Sequence, residues 1–168
     1  VGEPPLMLAL SVFFALRDLC DLWITFNEPS VLVNLGFVKG TYPPNLRSPW
    51  AAVLAAFNLA RAHQAVVAWI DRWQPPKREG LHGVGLVNSL QLYRGRFAWV
   101  VDALANWAYL HLALERRLTD VPAQTAWIGV NYYGVFNFPP RCDGDVADNG
   151  WCLDPDGLET ILTETARR

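Results

Sequence analysis

The sequence lacks the features that would point to a nucleic-acid partner or to a metal site. Its 168 residues carry a formal net charge of −2, 18% of them are charged, and there is neither a basic excess nor an acidic tail. This balance gives no electrostatic reason to expect nucleic-acid binding. The three cysteines, Cys20, Cys142 and Cys152, are an odd number without metal-ligand spacing. We therefore predict no metal ion and no nucleic acid as partner.

The sequence also has little that predicts a membrane or an export route. Residues 6–16 are apolar, but no basic residue precedes them, and Glu3 has the opposite charge to that expected of a signal peptide. Because the stretch is too short to span a bilayer, we predict a buried helix, no membrane partner and a cytoplasmic location. In that compartment Cys142 and Cys152 are expected to remain free thiols, although in an oxidising compartment they could pair.

Apolar residues make up 52% of the chain, and they are arranged as strands that alternate with helices. Short continuous apolar runs predict three strands, at residues 22–26, 84–88 and 127–132. The predicted helices cover residues 6–19, 49–73, 97–118 and 155 onward, with loops at 27–47 and 134–149. This pattern is typical of a parallel α/β arrangement, and we predict one such domain over residues 1–168. The eight tryptophans fit a sugar site and a thick core equally well.

Residues 23–29 form the most informative segment. The predicted first strand ends at Asn27 and Glu28, because Pro29 cannot donate to a further ladder hydrogen bond. An acid and an amide therefore lie at the C-terminal end of a parallel strand, which is where α/β barrels place their chemistry. The alternative is a buried acid that only ends the strand.

The segment Trp-Ile-Thr-Phe-Asn-Glu-Pro resembles the acid/base motif of the family 1 glycoside hydrolases, the retaining β-glucosidases and β-galactosidases. The resemblance implies that Glu28 is the general acid/base and that Asn27 hydrogen-bonds the 2-hydroxyl of the sugar. Residues 127–133 resemble the sixth barrel strand of the same family. This second match implies that Asn131 lines the sugar pocket and that Tyr133 hydrogen-bonds the carboxylate opposite the acid/base.

The resemblance extends over residues 16–165. It implies part of a (β/α)8 TIM barrel, with about three parallel strands, the fourth to the sixth, and their helices. The implied substrate is a β-linked glucoside or galactoside, as a small oligosaccharide or an aryl glycoside, and no cofactor is implied. We interpret His63, which matches an Ala-His pair of the family, as a packing and hydrogen-bonding residue, the alternative being a catalytic one. Since three strands leave open sheet edges, a homo-oligomer is a predicted way of covering them.

The carboxylate opposite Glu28 is not identifiable. Retaining hydrolysis needs two carboxyl groups roughly 5–5.5 Å apart. Glu164 lacks the Asn-Gly that follows the family's nucleophile, and it falls inside the predicted last helix. An inverting route would need a more distant carboxylate, for which the candidates are Asp143, Asp145 and Asp148. The sequence thus predicts a β-glycosidase with Glu28 as acid/base, and the alternative is an inactive family fragment that only binds sugar or is structural.

Overall fold

The computed structural model describes residues 4–73, 83–114 and 125–167, with side chains from Leu10 onward. The strands are β1 (Leu22–Asn27), β2 (Gly83–Ser89), β3 (Leu92–Gly95), β4 (Trp127–Asn131) and β5 (Val135–Phe138). The helices are α1 (Pro4–Leu16), α2 (Pro29–Val33), α3 (Pro49–Trp73), α4 (Ala98–Asp102), α5 (Ala108–Leu114) and α6 (Pro155–Arg167). Two π-helical turns, Asn34–Val38 and Ala103–Trp107, follow α2 and α4.

The main sheet contains three parallel strands in the order β1-β2-β4, and β3 pairs with β5 in a second parallel sheet. The three strands of the main sheet agree with the predicted strands to within one residue at each end. The predicted parallel α/β arrangement is therefore confirmed. It follows from continuous apolar runs, since parallel strands are covered by helices and need no polar face.

Helices cover one face of the main sheet. On that face α3 buries Ala60, Val67 and Ile70, and β2 contributes Val84 and Leu86. Three strands cannot close a barrel, and residues 83–88 of the central strand β2 are buried whereas the outer strand β1 is partly exposed. Leu22 and Ile24 of β1, for example, remain 46% and 55% exposed.

The helix α3 is, by length and composition alone, apolar enough to cross a membrane. Core helices of soluble proteins pass the same test, and α3 contacts β1, β2 and α5 along its length. Its N-terminus is capped as the sequence suggests, since the Ser48 hydroxyl accepts a hydrogen bond from Ala51 N at 3.3 Å. We interpret α3 as a helix that packs one face, with Ala60, Val67 and Ile70, against the sheet.

Several predicted loops contain regular structure. The region 27–47 includes α2, which begins at Pro29, the first helical position that proline favours. The predicted loop 134–149 contains β5, and β3 was not expected. The predicted helix 97–118 is divided by a π-helical turn into α4 and α5, and residues 115–118 lie outside the described part. The first helix spans Pro4–Leu16 and not residues 6–19.

Three of the eight tryptophans pack in one aromatic cluster. Trp69 makes edge-to-face contacts with Phe13 and Phe14, at ring-centroid distances of 5.4 and 5.3 Å. Trp23 and Trp73 extend this aromatic cluster between α1, α3 and β1. These tryptophans therefore contribute to the core and not to a sugar site.

His63 is fully buried on α3. From the helix-covered side of the sheet, its ring connects β1 with the residues that lead into β4. Its Nδ1 lies 2.7 Å from the Thr25 hydroxyl of β1, and its Nε2 lies 2.7 Å from the hydroxyl of Thr125, just before β4. A neutral imidazole donates from one nitrogen and accepts at the other, and hydroxyls can complement both. The packing and hydrogen-bonding role predicted for His63 is thus confirmed.

His63 should make the fold acid-sensitive. Burial lowers the pKa of His63 to about 4 from its ordinary value of 6.5. As the pH falls, His63 is therefore protonated in the unfolded chain before it is protonated in the folded protein. The contribution of neutral His63 to the free energy of unfolding is complete above pH 6.5 and is lost as the pH falls towards 4. At pH 4.5 the loss should be about 2–3 kcal/mol. Urea unfolding at pH 7.5 and 4.5 measures it.

The non-titrating variant His63→Gln is the control, because carboxylates elsewhere also titrate in this range. The difference in unfolding free energy between wild type and variant should shrink by that amount at the lower pH. A difference that is the same at both pH values would contradict the assignment.

Candidate active site

Glu28 lies where β1 ends and α2 begins. Its backbone N–H donates to Val87 O at 2.8 Å, which continues the pairing of β1 with β2 by one residue. Its carbonyl accepts the first helical hydrogen bonds, from Val31 and Leu32. Glu28 adopts a left-handed conformation, with φ 52° and ψ 50°, which costs a non-glycine residue about 1–2 kcal/mol. The backbone at the end of β1 therefore fixes the position from which the Glu28 side chain extends.

Two side chains from the β4 end hold the Glu28 carboxylate. The Tyr133 hydroxyl donates to Oε1 at 2.6 Å, and Asn131 Nδ2 donates to the same oxygen at 2.9 Å. No described residue donates a hydrogen bond to Oε2. That oxygen is therefore available to carry a proton or to meet a ligand.

Asn131 also fixes Asn27. Its Nδ2 has two N–H bonds, and the second donates to Asn27 Oδ1 at 3.0 Å. The Asn27 amide nitrogen makes no hydrogen bond to a described residue, and the side chain is exposed. All four predicted site residues, Asn27, Glu28, Asn131 and Tyr133, are thus brought together at one edge of the sheet.

Tyr133 differs in one respect from the expectation. The resemblance implied a bond to the carboxylate opposite the acid/base, whereas the hydroxyl contacts Glu28 itself. The pKa of Tyr133 is raised above its ordinary value of 10.0, chiefly because the hydroxyl donates to Glu28, with partial burial and the charge of Glu28 acting in the same direction. Tyr133 therefore stays protonated, and a donor, at neutral pH.

Two residues beside the site escaped sequence reasoning. The Trp151 ring packs edge-to-face on Tyr133, with centroids 5.3 Å apart. Gln91, just after β2, accepts a hydrogen bond from Tyr133 N at 2.9 Å. Neither a single tryptophan in a loop nor a single glutamine after a strand carries a local signal.

Cys142 and Cys152 form a disulfide, so the expectation of free thiols for this pair is wrong. The reason is the unexpected strand β5. After β5 the chain turns back beside this strand, and Val135 N donates to Cys152 O at 3.1 Å. The Cα atoms of Cys142 and Cys152 lie 5.5 Å apart. Such a separation suits a disulfide. Cys20 is free. The cytoplasmic location stays a prediction.

Reducing this disulfide should lower thermal stability. It closes a loop over a sequence separation of 10 residues, and constraining such a loop in the unfolded chain contributes roughly 2–4 kcal/mol. Calorimetry with and without a thiol reductant measures the effect. The variant Cys20→Ser, which leaves the disulfide intact, should respond to the reductant as wild type does. An unchanged melting temperature in wild type would contradict the prediction.

The predicted second carboxylates do not reach Glu28. Asp143 is paired with Arg141, whose Nε lies 2.7 and 2.9 Å from its two oxygens, and this partner lowers the pKa of Asp143. Asp145 and Asp148 are exposed, and Glu164 lies within α6, as the sequence predicted. No hydrogen bond or ion pair joins any of them to Glu28 in the described ranges.

A cavity of about 710 Å³ lies between α2, α3 and the helical segments α4 and α5. Its lining is mostly apolar and includes Ala56, Phe57 and Leu104, with Ser30 of α2 and Ser89 at the end of β2. None of the four predicted site residues lines it. Among the described residues, no group of three His, Cys, Asp or Glu could hold a metal ion.

The sequence model described as glycosyl hydrolase family 1 matches residues 7–91, just over half of the chain. The chain belongs to glycosyl hydrolase family 1. The resemblance carried by the two strand motifs is therefore confirmed. The matched range contains the whole acid/base segment and Glu28.

Curated family 1 relatives match nearly the whole chain. A β-galactosidase from Pyrococcus woesei is 33% identical, in an alignment that covers 93% of this chain and 42% of the relative. Beta-glucosidase A from Thermotoga maritima is 24% identical, in an alignment that covers 83% of this chain and 39% of the relative. The chain thus spans about two fifths of the length of these family 1 proteins.

Solved family 1 structures share the fold. The β-glycosidase from Pyrococcus horikoshii superposes with a TM-score of 0.76 at 25% identity, and covers 94% of this chain and 42% of that one. The β-glucosidase from Thermotoga maritima in complex with galacto-hydroximolactam gives 0.79 at 21% identity. The predicted partial (β/α)8 barrel is therefore confirmed.

Proposed function

We propose that this chain carries the general acid/base half of a β-glycosidase site and acts on β-D-glucosides or β-D-galactosides. The observation that carries the proposal is the Glu28 carboxylate at the end of β1, with one oxygen held by Tyr133 and Asn131 and the other without a described partner. An acid held in this way can present a proton at a defined position, which is the requirement of a general acid.

In the proposed reaction Glu28 donates its Oε2 proton to the glycosidic oxygen as the bond to the anomeric carbon breaks. Asn27 donates from its amide nitrogen to a sugar hydroxyl, in the position that the family resemblance implies. Both N–H bonds of Asn131 are already used, so its part is to orient Glu28 and Asn27, and its Oδ1 can accept from the sugar. This proton transfer requires no metal or organic cofactor.

Hydrolysis also needs a carboxylate opposite Glu28, as nucleophile or as base for water. Since no described carboxylate contacts Glu28, we propose that another chain supplies it, and that a second copy is the partner. Within residues 4–73, 83–114 and 125–167, the outer edges of β1 and β4 pair with no further strand, and β1 exposes Leu22 and Ile24. Unpaired strand edges favour pairing with another chain.

The second candidate is a catalytically inactive fragment that binds sugar or is only structural. The share of the relatives that the chain covers, about two fifths, favours it. The enzyme and a sugar-binding fragment would both use Asn27 and Glu28, but only the enzyme needs Glu28 to transfer a proton.

Hydrolysis of 4-nitrophenyl β-D-glucoside and β-D-galactoside by the purified chain tests the proposal, with the α-glucoside as control. Specific activity towards the β-anomers should rise with protein concentration, because the second carboxylate comes with association. A non-hydrolysable β-thioglucoside that binds without any turnover of the aryl substrates would favour the inactive candidate. The absence of both turnover and binding would contradict the enzyme and the sugar-binding fragment, and would leave a fragment that is only structural.

A further inference from the structure

Gln91 lies between the end of β2 and the start of β3, and it is 5% exposed. Both ends of its side-chain amide are fully used. Nε2 donates to Ser89 Oγ at 2.8 Å and to Asn131 O at 3.1 Å. Oε1 accepts from Tyr133 N at 2.9 Å and from Gly134 N at 3.2 Å. Because acceptors surround one end and donors the other, the orientation of the amide is fixed.

These bonds fill a gap between two strand ladders. The pairing of β2 with β4 ends at Ser89 and Asn131, and the pairing of β3 with β5 begins at Leu92 and Val135. Between the ladders, the N–H groups of residues 133 and 134 have no strand partner. A buried backbone N–H without an acceptor is costly, and the Gln91 side chain provides the acceptor for both.

The main chain of Gln91 is itself held from the helix side. Gln91 N donates to Asn106 Oδ1 at 2.9 Å, and Asn106 Nδ2 donates to Gln91 O at 2.7 Å. Asn106 is fully buried. The amide of Gln91 thus extends from a fixed backbone to the segment 131–134.

We propose that Gln91 is a positioning residue for the general acid, because it fixes the segment that carries both donors to Glu28. Asn131 and Tyr133 reach the Glu28 carboxylate from this segment, and Gln91 binds the backbone of each. The proposal deepens the proposed function and rests on it for its catalytic meaning. Gln91 acts through Asn131 and Tyr133 and has no described contact with Glu28.

Only a side chain of this length with one acceptor and one two-proton donor can make all four bonds. In Gln91→Leu all four are lost. In Gln91→Glu the two bonds accepted by Oε1 can persist, but a carboxylate oxygen faces Asn131 O, and the two donated bonds are lost. The two variants therefore differ in how far they release the segment.

The first measurement is NMR of the protein labelled with ¹³C at tyrosine Cζ, with the Tyr133 signal assigned by Tyr133→Phe. In wild type the pKa of Tyr133 is raised, chiefly by its bond to Glu28. In Gln91→Leu it should move back towards its ordinary value, and in Gln91→Glu it should move in the same direction but less. A Tyr133 titration unchanged from wild type in a folded Gln91 variant would overturn the proposal.

The matched control is Gln64→Leu. Gln64 is a second buried glutamine, and its Nε2 donates to Ala113 O at 2.9 Å, on the helix side of the sheet. Its loss should lower stability and leave the Tyr133 titration as in wild type. If Gln91→Leu does not fold, Gln91→Glu carries the test with the same readout.

The second measurement is kinetic. A displaced general acid lowers kcat more than it raises KM, and we expect kcat for an aryl β-glucoside to fall about 10- to 100-fold in Gln91→Leu. If the wild type does not turn over and the Tyr133 titration still depends on Gln91, the proposed function fails and the positioning role stands. If the wild type is active and kcat is the same in the folded Gln91 variants, the positioning proposal fails alone.

Discussion

Replacing Glu28 with glutamine should lower kcat/KM for phenyl β-D-glucoside by about 10²- to 10⁴-fold, the range that a positioned general acid contributes. The amide oxygen of the variant can still accept from Tyr133 and Asn131, so the local structure should persist. The amide has no acidic proton to give to the departing oxygen. Steady-state kinetics, with the affinity for a non-hydrolysable thioglucoside measured alongside, separates lost proton transfer from lost binding.

The matched control for this change is Glu164→Gln. Glu164 lies in α6 and has no described contact with Glu28, so its variant should keep the wild-type rate. Equal losses of kcat/KM in Glu28→Gln and Glu164→Gln would mean that the lower rate reflects general damage to the fold. Sugar affinity that is lost together with the rate in Glu28→Gln would show that the carboxylate holds substrate and does not deliver a proton.

Replacing Asn106 with leucine should destabilise the fold by roughly 3 kcal/mol. The change removes both bonds to the main chain of Gln91 and the bond from Asn106 Nδ2 to Asp102 Oδ1, at 2.6 Å. It leaves a buried N–H and a buried carbonyl without partners, each costing about 1–3 kcal/mol. Urea unfolding monitored by tryptophan fluorescence measures the free energy of unfolding.

Asn58→Leu is the control for Asn106→Leu, since Asn58 is exposed on α3 and a surface change of this kind usually alters stability by less than about 0.5 kcal/mol. Similar unfolding free energies for the two variants would contradict the central place given to Asn106. Asn106→Leu should also weaken the hydrogen bond from Tyr133 to Glu28, because Asn106 holds the backbone from which Gln91 extends.

The parts of the fold that sequence predicted are those with a continuous local pattern. The runs at β1, β2 and β4 are mostly apolar, with polar residues chiefly at their C-terminal ends, and the Asn-Glu-Pro ending of β1 fixes where Glu28 lies. By contrast, β3 and β5 have four residues each and are only partly buried, so no apolar run marks them. The start of α2 could have been predicted from the sequence, because proline is favoured at the first position of a helix and Pro29 occupies it.

The contacts that hold the site depend on residues far apart in the chain. Asn131 lies 103 residues from Glu28 and Gln91 lies 42 residues from Tyr133, so neither bond follows from a local pattern. The family resemblance nevertheless supplied Asn27, Glu28, Asn131 and Tyr133 as a set, and the structure brings them together. It did not supply Gln91, nor the disulfide that depends on the return of the chain along β5.

The measurement that tests the central claim most directly is the effect of Glu28→Gln on two substrates that differ only in leaving group. Phenolate needs a proton as it departs, whereas 2,4-dinitrophenolate is stable without one. If Glu28 is the general acid, the variant should lose most of its rate on phenyl β-D-glucoside and little of it on the dinitrophenyl substrate. An equal loss on both substrates, or no loss on either, would contradict the assignment of Glu28 as the proton donor.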